Sequence, residues 1–492
     1  MKLNIAASAL AASGLAAASN SFAGSSLYFL PGLSASDQAY YIDTLASYGA
    51  KVVRLWINKH STGCDKGSNV VTYADDFETT IGSYNWDNLA KVDKVLAQLA
   101  AKGMKAIISP HDGNVIHSTS VNTPNGCDVY CTTYRTSFYS NAQAQAQYDA
   151  RIKAILTYKS PSSGLAWGNW SEAILAFDLQ NEPFQFTNDG QNGDPSNWLC
   201  GRAQNFKKYI TDSNIKVATG GIGGDQVHGY NLLSKALTCS AIDIISIHAY
   251  VGDASTWGYL LPGFESTAAA NNKLLHVEEW GVQTSYGSNF DSQAASLNAQ
   301  GIPWTYWQMI PGSDGTQSCS SGCCTGYDGF EVGFNSGKGN LKNAISTANS
   351  KTTKQDWSFV GAPPNGGSGT PPPPPSSSSS PPPPPPSSYP KDTSARVGIA
   401  AVPFLANRLT LALEDTAKTA PGDAVAGIAA LLSLVTRIIL VSKASVTTLV
   451  LQPARGICLG HRICLPSPQA SVRNALTRNW AKDEVYKFVF VL

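Results

Sequence analysis

Short apolar runs alternate with amphipathic segments along most of the chain between residues 26 and 350. The runs have the length and composition of buried strands, whereas the segments between them repeat apolar residues at helical spacing. The pattern predicts strands at 26–31, 51–57, 105–111, 174–180, 216–220, 242–250, 274–281 and 302–309. It predicts helices at 36–48 (capped by Ser36), 86–102, 141–158, 196–213, near Leu232, 290–300 and 341–350. Eight strands alternating with helices predict an α/β fold, a closed (β/α)8 TIM barrel.

The chain of 492 residues is longer than a barrel needs, so appendages are expected at its ends. Residues 1–23 have the features of a secretory signal: Lys2, an apolar run, and small residues at positions 21 and 23. The mature chain is therefore predicted to begin near Gly24. The barrel is assigned to residues 24–360.

Beyond the barrel, residues 361–390 form a Pro/Ser-rich linker, and residues 391–492 form a basic tail. The tail's apolar run, Ala424–Val435, is too short to span a bilayer. Three interpretations of the tail remain open: a partly helical appendage, a surface-associating segment, and a product of faulty gene modelling. An adhesion role for the tail is a weaker functional alternative.

The charge balance and the cysteines favour a secreted protein. With 35 basic and 34 acidic residues, nothing points to nucleic acid as a partner. The barrel region holds an even number of cysteines, which in a secreted chain favours disulfides over zinc binding. These are Cys64, Cys127, Cys131, Cys200, Cys239, Cys319, Cys323 and Cys324. Asn169-Trp170-Ser171 is a glycosylation sequon.

Two glutamates stand where apolar runs end. Glu182 follows Asn181 at the end of the fourth predicted strand, and Glu279 ends the seventh. In a parallel barrel these strand ends lie at the face that carries the active site. A pair of carboxylates there indicates glycosidic bond hydrolysis.

The strings Asn181-Glu182-Pro183 and Glu279-Trp280-Gly281, in this order and spacing, resemble glycoside hydrolase family 5. This family contains cellulases and mannanases within clan A, the retaining β-glycanases, and the resemblance covers residues 26–354. It implies that Glu182 is the acid/base and Glu279 the nucleophile. It also implies that six further residues bind substrate or support the glutamates, namely Arg54, His111, Asn181, His248, Tyr250 and Trp307.

The resemblance and elementary electrostatics give each of these side chains an expected role. Arg54 is expected to lower the pKa of Glu279, and Tyr250 to donate a hydrogen bond to it. Asn181 and the two histidines are expected to contact sugar hydroxyls, and Trp307 to lie under the sugar ring. Since successive strand residues point to opposite faces, only one of Glu278 and Glu279 is expected to face the barrel interior. Trp304 and Tyr306 are expected to pack outward.

The resemblance implies a secreted endo-β-glycanase, and the Glu-Glu-aromatic-Gly form of the seventh strand favours β-1,4-mannan as its substrate. Endo-hydrolysis of β-1,4-, β-1,3- or β-1,6-glucan is the alternative, and a non-catalytic carbohydrate-binding barrel is a further one. No metal or other cofactor is expected. The expected partner is polysaccharide, the expected state is a monomer, and no transmembrane segment is predicted. The loop from Cys319 to Asp328 has no predicted role.

Overall fold

The computed structural model describes residues 19–116, 126–185, 187–224, 230–283, 285–311, 328–334 and 338–361. Several features named above lie outside these residues: Cys319–Cys324, the linker after residue 361, and the tail. So do the first 18 residues of the predicted signal. The described residues belong to one compact unit, Met1–Pro372.

Eight strands form the barrel: β1 Ala23–Ser26, β2 Val52–Trp56, β3 Lys105–Ser109, β4 Ile174–Asp178, β5 Lys216–Ala218, β6 Ile244–His248, β7 Leu274–Trp280 and β8 Trp304–Tyr306. Each strand is parallel to its two neighbours, and β1 pairs with both β2 and β8, which closes the sheet. The predicted (β/α)8 barrel is confirmed. Nearly all strand residues are buried, because helices cover the outside and side chains fill the inside.

The helices around the barrel are α1 Ala35–Tyr48, α2 Trp86–Ala101, α3 Val129–Tyr134, α4 Ala142–Leu156, α5 Trp198–Lys207, α6 Ser234–Thr238, α7 Ser255–Ala270, α8 Phe290–Gln300 and α9 Leu341–Asn349. Short 3-10 helices lie at Leu30–Gly32, Gly113–Val115, Arg135–Ser137, Trp167–Asn169, Tyr230–Leu232 and Ser358–Val360. Small two-stranded sheets join Gly63–Asp65 to Ser68–Val70, Glu78–Thr80 to Ser83–Tyr84, and Met309–Ile310 to Val332–Gly333.

Two local predictions are wrong, and helix α7 is not predicted. The first strand ends at Ser26, because the chain then turns into a 3-10 helix with Pro31 at its start. Helix α1 is capped by Ser34 and not by Ser36, since the Ser34 hydroxyl accepts the backbone N–H of Asp37. The pattern also misses α7, whose sequence contains Pro262 and two glycines that normally disfavour a helix.

An apolar plug closes the barrel at the amino-terminal ends of its strands. Phe22 and Trp357 meet edge to face with ring centroids 5.2 Å apart. They pack on apolar strand residues that face the barrel interior near its amino-terminal end, such as Val52. Gly24 lets β1 approach β2, because a Cβ atom there would lie 1.7 Å from the carbonyl oxygen of Val52. Asp178 and His248 lie at the opposite, carboxyl-terminal ends of β4 and β6.

The residues just before β1 belong to this plug. The Ser19 hydroxyl accepts the backbone N–H of Trp357 at 2.8 Å and donates to the carbonyl of Gln355 at 3.1 Å. Phe22 is 2% exposed. Removal of residues 1–23 would take these contacts away together with the first residue of β1. We propose instead that signal cleavage leaves Ser19 and Phe22 on the mature barrel.

A barrel that begins at Gly24 is therefore expected to be less stable than one that begins at Ser19. The expected loss is about 3–5 kcal/mol, the range for deleting a buried phenylalanine. Urea denaturation of the two chains measures the difference, and amino-terminal sequencing of the secreted protein locates the natural start. Equal stability, or a natural start at Gly24, would contradict the proposal.

Two disulfides lie within the described residues, Cys127–Cys131 and Cys200–Cys239. Cys64 is also disulfide-bonded. These bonds confirm the prediction of disulfides for five of the eight cysteines in the barrel region. None of the helices in the described ranges combines the length and the hydropathy that a bilayer-spanning segment requires.

Candidate active site

Arg54 lies at the centre of a buried polar cluster inside the barrel, towards the carboxyl-terminal ends of the strands. Its guanidinium donates to Asp178 at 3.0 Å, to Glu279 at 2.9 Å and to the Asn181 amide oxygen at 2.7 Å. Glu278 is 3.5 Å away. Burial lowers the pKa of Arg54, but the charges of these three carboxylates outweigh it and raise that pKa. The guanidinium therefore stays charged and holds the cluster together.

Asp178 is a member of this cluster that the sequence analysis misses. It ends β4 and accepts hydrogen bonds from Arg54 and from the Ser109 hydroxyl. Burial raises the pKa of Asp178 to about 7, with the charge of Glu278 adding to this and that of Arg54 opposing it. In the sequence, Asp178 is recognisable only as an acidic residue at the end of an apolar run. Asn181 and Glu182, three and four residues later, form the more recognisable string.

Glu278 and Glu279 both face the cluster, so the prediction that only one of them faces inward is wrong. The pairing of β6 with β7 shifts by one residue, because Ile247 pairs with Val277 whereas His248 pairs with Glu279. Such a bulge interrupts the strict alternation of side chains. Glu278 is fully buried and accepts from the Ser246 hydroxyl at 3.0 Å.

Glu182 lies just past β4 with its backbone in the left-handed region, at φ +47°. This conformation is uncommon for a residue other than glycine and often marks a functional site. Its carboxylate accepts from the Asn114 amide at 2.8 Å and is 3.1 Å from Nδ1 of His248. Burial raises the pKa of Glu182, but the hydrogen bond and charge of His248 bring it below its ordinary value.

Glu279 accepts from the Arg54 guanidinium and from the Tyr250 hydroxyl at 2.5 Å. Both predicted contacts are therefore present. Arg54 also lowers the pKa of Glu279, as expected, but burial and the charge of Glu182 outweigh Arg54 and His248, so the pKa of Glu279 lies above its ordinary value. The two carboxylates repel one another, and this repulsion contributes to the raised pKa of Glu279.

The two glutamates stand close together across the site. One oxygen from each carboxylate and one ring nitrogen of His248 all lie within 4.8 Å of one another. All three residues are buried. This arrangement can place one carboxylate and one carboxylic acid on either side of a single bond.

The same three atoms could coordinate a metal ion, but their surroundings disfavour one. Arg54 already carries a positive charge 2.9 Å from Glu279. Both ring nitrogens of His248 also face carboxylates, Nδ1 towards Glu182 and Nε2 towards Glu278, each at 3.1 Å. These contacts fit an imidazolium better than a neutral metal ligand. The absence of a metal remains a prediction.

His248 is fully buried between the glutamates, where the sequence analysis expects a sugar contact. We therefore propose that it links Glu278 to Glu182. Burial lowers the pKa of His248, but the charge of Glu279 and the hydrogen bonds to Glu182 and Glu278 raise it to about 10. Arg54 is the other charged group that faces this ring, and it opposes the increase.

Raising the pH towards 10 is expected to destabilise the barrel as His248 loses its proton. A group whose pKa is raised on folding stabilises the fold fully below its unfolded value of about 6.5, and this contribution is lost as the pH passes the folded value. Urea denaturation from pH 7 to pH 10.5 measures the decline. His248→Gln should show a flatter profile, and identical profiles for the two proteins would refute the assignment.

His111 has both ring nitrogens engaged with protein. Nε2 lies 2.6 Å from Asp128, and Nδ1 accepts from the Gln180 amide at 2.7 Å. The ring is 4% exposed. We therefore propose a structural role for His111 in place of the predicted sugar contact. Asn181, by contrast, donates one N–H to Asp112 at 2.8 Å, and its second N–H has no partner among the residues that the structure describes.

Trp307 follows β8 and is partly exposed, whereas Trp304 and Tyr306 are fully buried against the surrounding helices, as predicted. The Trp307 ring lies parallel to the Tyr28 ring, with centroids 5.8 Å apart. Trp56 packs edge to face against the Trp307 ring. Tyr28, Trp56 and Asn114 belong to no recognisable sequence string, so their places at the site are not predictable from the sequence.

Comparison with known proteins identifies the family to which the barrel is similar. A family model described as cellulase (glycosyl hydrolase family 5) matches residues 15–313. A probable mannan endo-1,4-beta-mannosidase F of Aspergillus flavus is 27% identical over 319 residues, which are 59% of this chain and 64% of that protein. The chain thus spans less than two thirds of that relative. Mannan endo-1,4-beta-mannosidase A of Aspergillus aculeatus is 27% identical over 311 residues, 58% of this chain and 77% of that protein.

The fold is also similar to a solved structure. The endo-1,4-beta-mannanase from Rhizomucor miehei superposes with a TM-score of 0.50 at 18% identity. The match covers 67% of this chain and 94% of that one. At this identity the likeness concerns the barrel fold and not the substrate.

Proposed function

The chain belongs to glycosyl hydrolase family 5, and we propose that it is a secreted enzyme that hydrolyses internal β-1,4 bonds of mannan with retention of configuration. The spacing of Glu182 and Glu279 carries this proposal, since oxygens of the two carboxylates lie within 4.8 Å of each other. Retaining glycosidases hold their carboxyl groups about 5–5.5 Å apart, whereas inverting ones leave about 6.5–9.5 Å for a water molecule. The close pair favours direct attack by one carboxylate.

In the first step, a carboxylate oxygen of Glu279 attacks the anomeric carbon of the sugar. The bond from that carbon to the leaving oxygen breaks, and Glu182 gives its proton to this oxygen. Arg54 and Tyr250 hold the attacking carboxylate in place through their two hydrogen bonds. The result is a glycosyl ester on Glu279 and a released chain end.

In the second step, water attacks the same carbon and gives a proton to Glu182, which now acts as the base. The ester bond breaks, and Glu279 leaves as a carboxylate beside Arg54. Two inversions in sequence retain the β configuration. Both residues return to their starting states, so the cycle needs no cofactor.

Glu182 must hold a proton when substrate is bound, although the hydrogen bond and charge of His248 lower its pKa. Bound sugar excludes water from the carboxyl group, and this desolvation favours the neutral form. The His248 Nδ1–H, 3.1 Å from Glu182, is a second source of the proton. Glu182 and His248 thus act as a pair that stores one proton for the leaving group.

The remaining predicted contacts complete the proposal. The free N–H of Asn181 would donate to a hydroxyl of the sugar at the cleavage site. Trp307 would lie under the apolar face of the same sugar. Mannan as the substrate is supported by the Glu278-Glu279-Trp280-Gly281 string and by the names of the relatives. The signal segment, the linker and a monomeric state remain parts of the proposal.

Reducing-sugar release from a panel of polymers tests the substrate. The mature chain should release sugar from galactomannan faster than from carboxymethyl cellulose, β-1,3-glucan or β-1,6-glucan. Faster release from a glucan would keep the chemistry and replace the substrate. Binding to a polymer without any release would overturn the proposal in favour of a carbohydrate-binding barrel.

A further inference from the structure

Asp328, in the described stretch 328–334, contacts the side chain of Trp307. The indole N–H of Trp307 donates to a carboxylate oxygen of Asp328 at 2.7 Å. The same oxygen accepts from the ammonium group of Lys66 at 2.8 Å. The single polar group of this tryptophan is therefore bonded to an acid 21 residues further along the chain.

Lys66 and Glu331 hold Asp328 in place. Lys66 lies in the turn between Gly63–Asp65 and Ser68–Val70 and is only 4% exposed. Its ammonium group also donates to Glu331 at 2.7 Å. Glu331 is fully buried and accepts the backbone N–H groups of Asp328 at 2.8 Å and Gly329 at 2.9 Å. The buried ammonium group of Lys66 thus joins the carboxylates of Asp328 and Glu331. Glu331 in turn holds the backbone of Asp328 in place.

The contacts of Asp328 are those of an ionised acid. Burial raises its pKa, but Lys66 and the indole N–H of Trp307 bring it below the ordinary value. An ionised acceptor makes shorter and stronger hydrogen bonds than a neutral one. The ring also packs against Tyr28 and Trp56 through apolar contacts. Apolar contacts alone permit the ring to slide, whereas the bond to Asp328 fixes its direction.

We propose that Asp328 is a positioning residue that fixes the plane of the Trp307 ring at the cleavage site, with Lys66 holding Asp328. The inference rests on the proposed function, in which the sugar to be cleaved lies against this ring. Misplacement of a substrate-positioning group by about 1 Å can cost about 10²-fold in rate. It also gives a role to the segment after β8, to which the sequence alone assigns none.

Two substitutions of nearly equal size separate positioning from a merely structural role. Asp328→Asn and Asp328→Leu both remove the charge that faces Lys66, so both lose the same ion pair. Only the asparagine keeps an oxygen that can accept the indole N–H. Asp328→Leu is expected to lower kcat/KM on the best polymer by about 10- to 100-fold. Asp328→Asn is expected to retain most of the activity, and equal losses in both variants would overturn the inference.

The same pair of substitutions is then made in a Trp307→Phe background, which has no indole N–H. There the asparagine and leucine variants should have equal rates, because nothing remains for the asparagine oxygen to accept from Trp307. A difference between them as large as in the wild type would show that Asp328 acts by another route. Asp43→Leu is a matched control, since it breaks an exposed ion pair with Lys102 on the outer helices.

A spectroscopic readout tests the inference independently of catalysis. The indole N–H resonance of Trp307 is identified in ¹H–¹⁵N spectra by its absence from Trp307→Phe. We expect it to move strongly in Asp328→Leu and less in Asp328→Asn, and an unchanged resonance in both would overturn the inference. If the wild type hydrolysed no polymer, the proposed function would fail, but this resonance would still decide whether Asp328 holds the ring.

Discussion

Glu279→Gln is expected to lower kcat/KM on the preferred polymer by at least about 10⁴-fold, the order of loss found when the nucleophile of a hydrolytic site is deleted. The amide has nearly the shape of the carboxylate, but it cannot form the glycosyl ester. Reducing-sugar assays measure the loss, and thermal denaturation verifies that the variant is folded. Activity within tenfold of the wild type would contradict the role of Glu279.

Glu182→Gln is the matched variant for this experiment. An activated aryl β-glycoside has a leaving group that departs without a proton, so the first step should survive in Glu182→Gln. The glycosyl ester should then accumulate, visible as a burst of the released phenol. Glu279→Gln should give no burst with the same compound. The two variants together therefore separate the acid from the nucleophile.

Arg54→Met is expected to reduce the free energy of unfolding by about 3–5 kcal/mol, the cost of leaving buried charges without their partner. Arg54 is fully buried, and its loss leaves Asp178, Glu278 and Glu279 without their shared cation. The three carboxylates can then relieve their repulsion only by taking up protons. Their pKa values rise in the folded variant, so its stability should fall further as the pH increases from 5 to 8.

Urea denaturation of the wild type and of Arg54→Met at these two pH values measures both effects. Lys102→Met serves as a control, because it removes an exposed ion pair with Asp43 that is 2.7 Å long. Exposed pairs contribute about 1 kcal/mol at most, so this variant should resemble the wild type. A loss in Arg54→Met no larger than in Lys102→Met would mean that Arg54 is not the centre of the cluster.

The barrel was predictable because its signal repeats along the chain. Each buried strand is a run of apolar residues, and the polar residues at the strand ends then lie at one face by geometry alone. Arg54, Glu182 and Glu279 could be placed in this way. The same pattern gives the ends of elements poorly, as at β1 and α1, because a turn or a cap depends on one or two local hydrogen bonds.

The contacts among the side chains of the site could not be predicted from the pattern of apolar and polar residues. The shift in pairing between β6 and β7 brings Glu278 beside His248, and strict alternation of side chains hides this possibility. Histidines are equally ambiguous in sequence, since His111 follows β3 and His248 ends β6, yet each contacts protein groups on both ring nitrogens. Their surroundings come from other strands and loops, which no local string encodes.

The contacts around Trp307 show the same limit. Lys66 and Asp328 are separated by 262 residues in the chain and meet only because the barrel closes. Asp328 alone in sequence is an acidic residue in a glycine-rich loop. Its partner, its burial and its bond to the indole become visible only in three dimensions.

The stereochemistry of the first product tests the central claim, which is that Glu182 and Glu279 act as a retaining pair. ¹H NMR spectra recorded during the first minutes of hydrolysis of a β-1,4-manno-oligosaccharide distinguish the α and β anomers of the new reducing end before they interconvert. The close carboxylates predict that the β anomer forms first and that the α anomer follows by mutarotation. Initial formation of the α anomer would mean a single displacement by water and would contradict the assignment of Glu279 as the nucleophile.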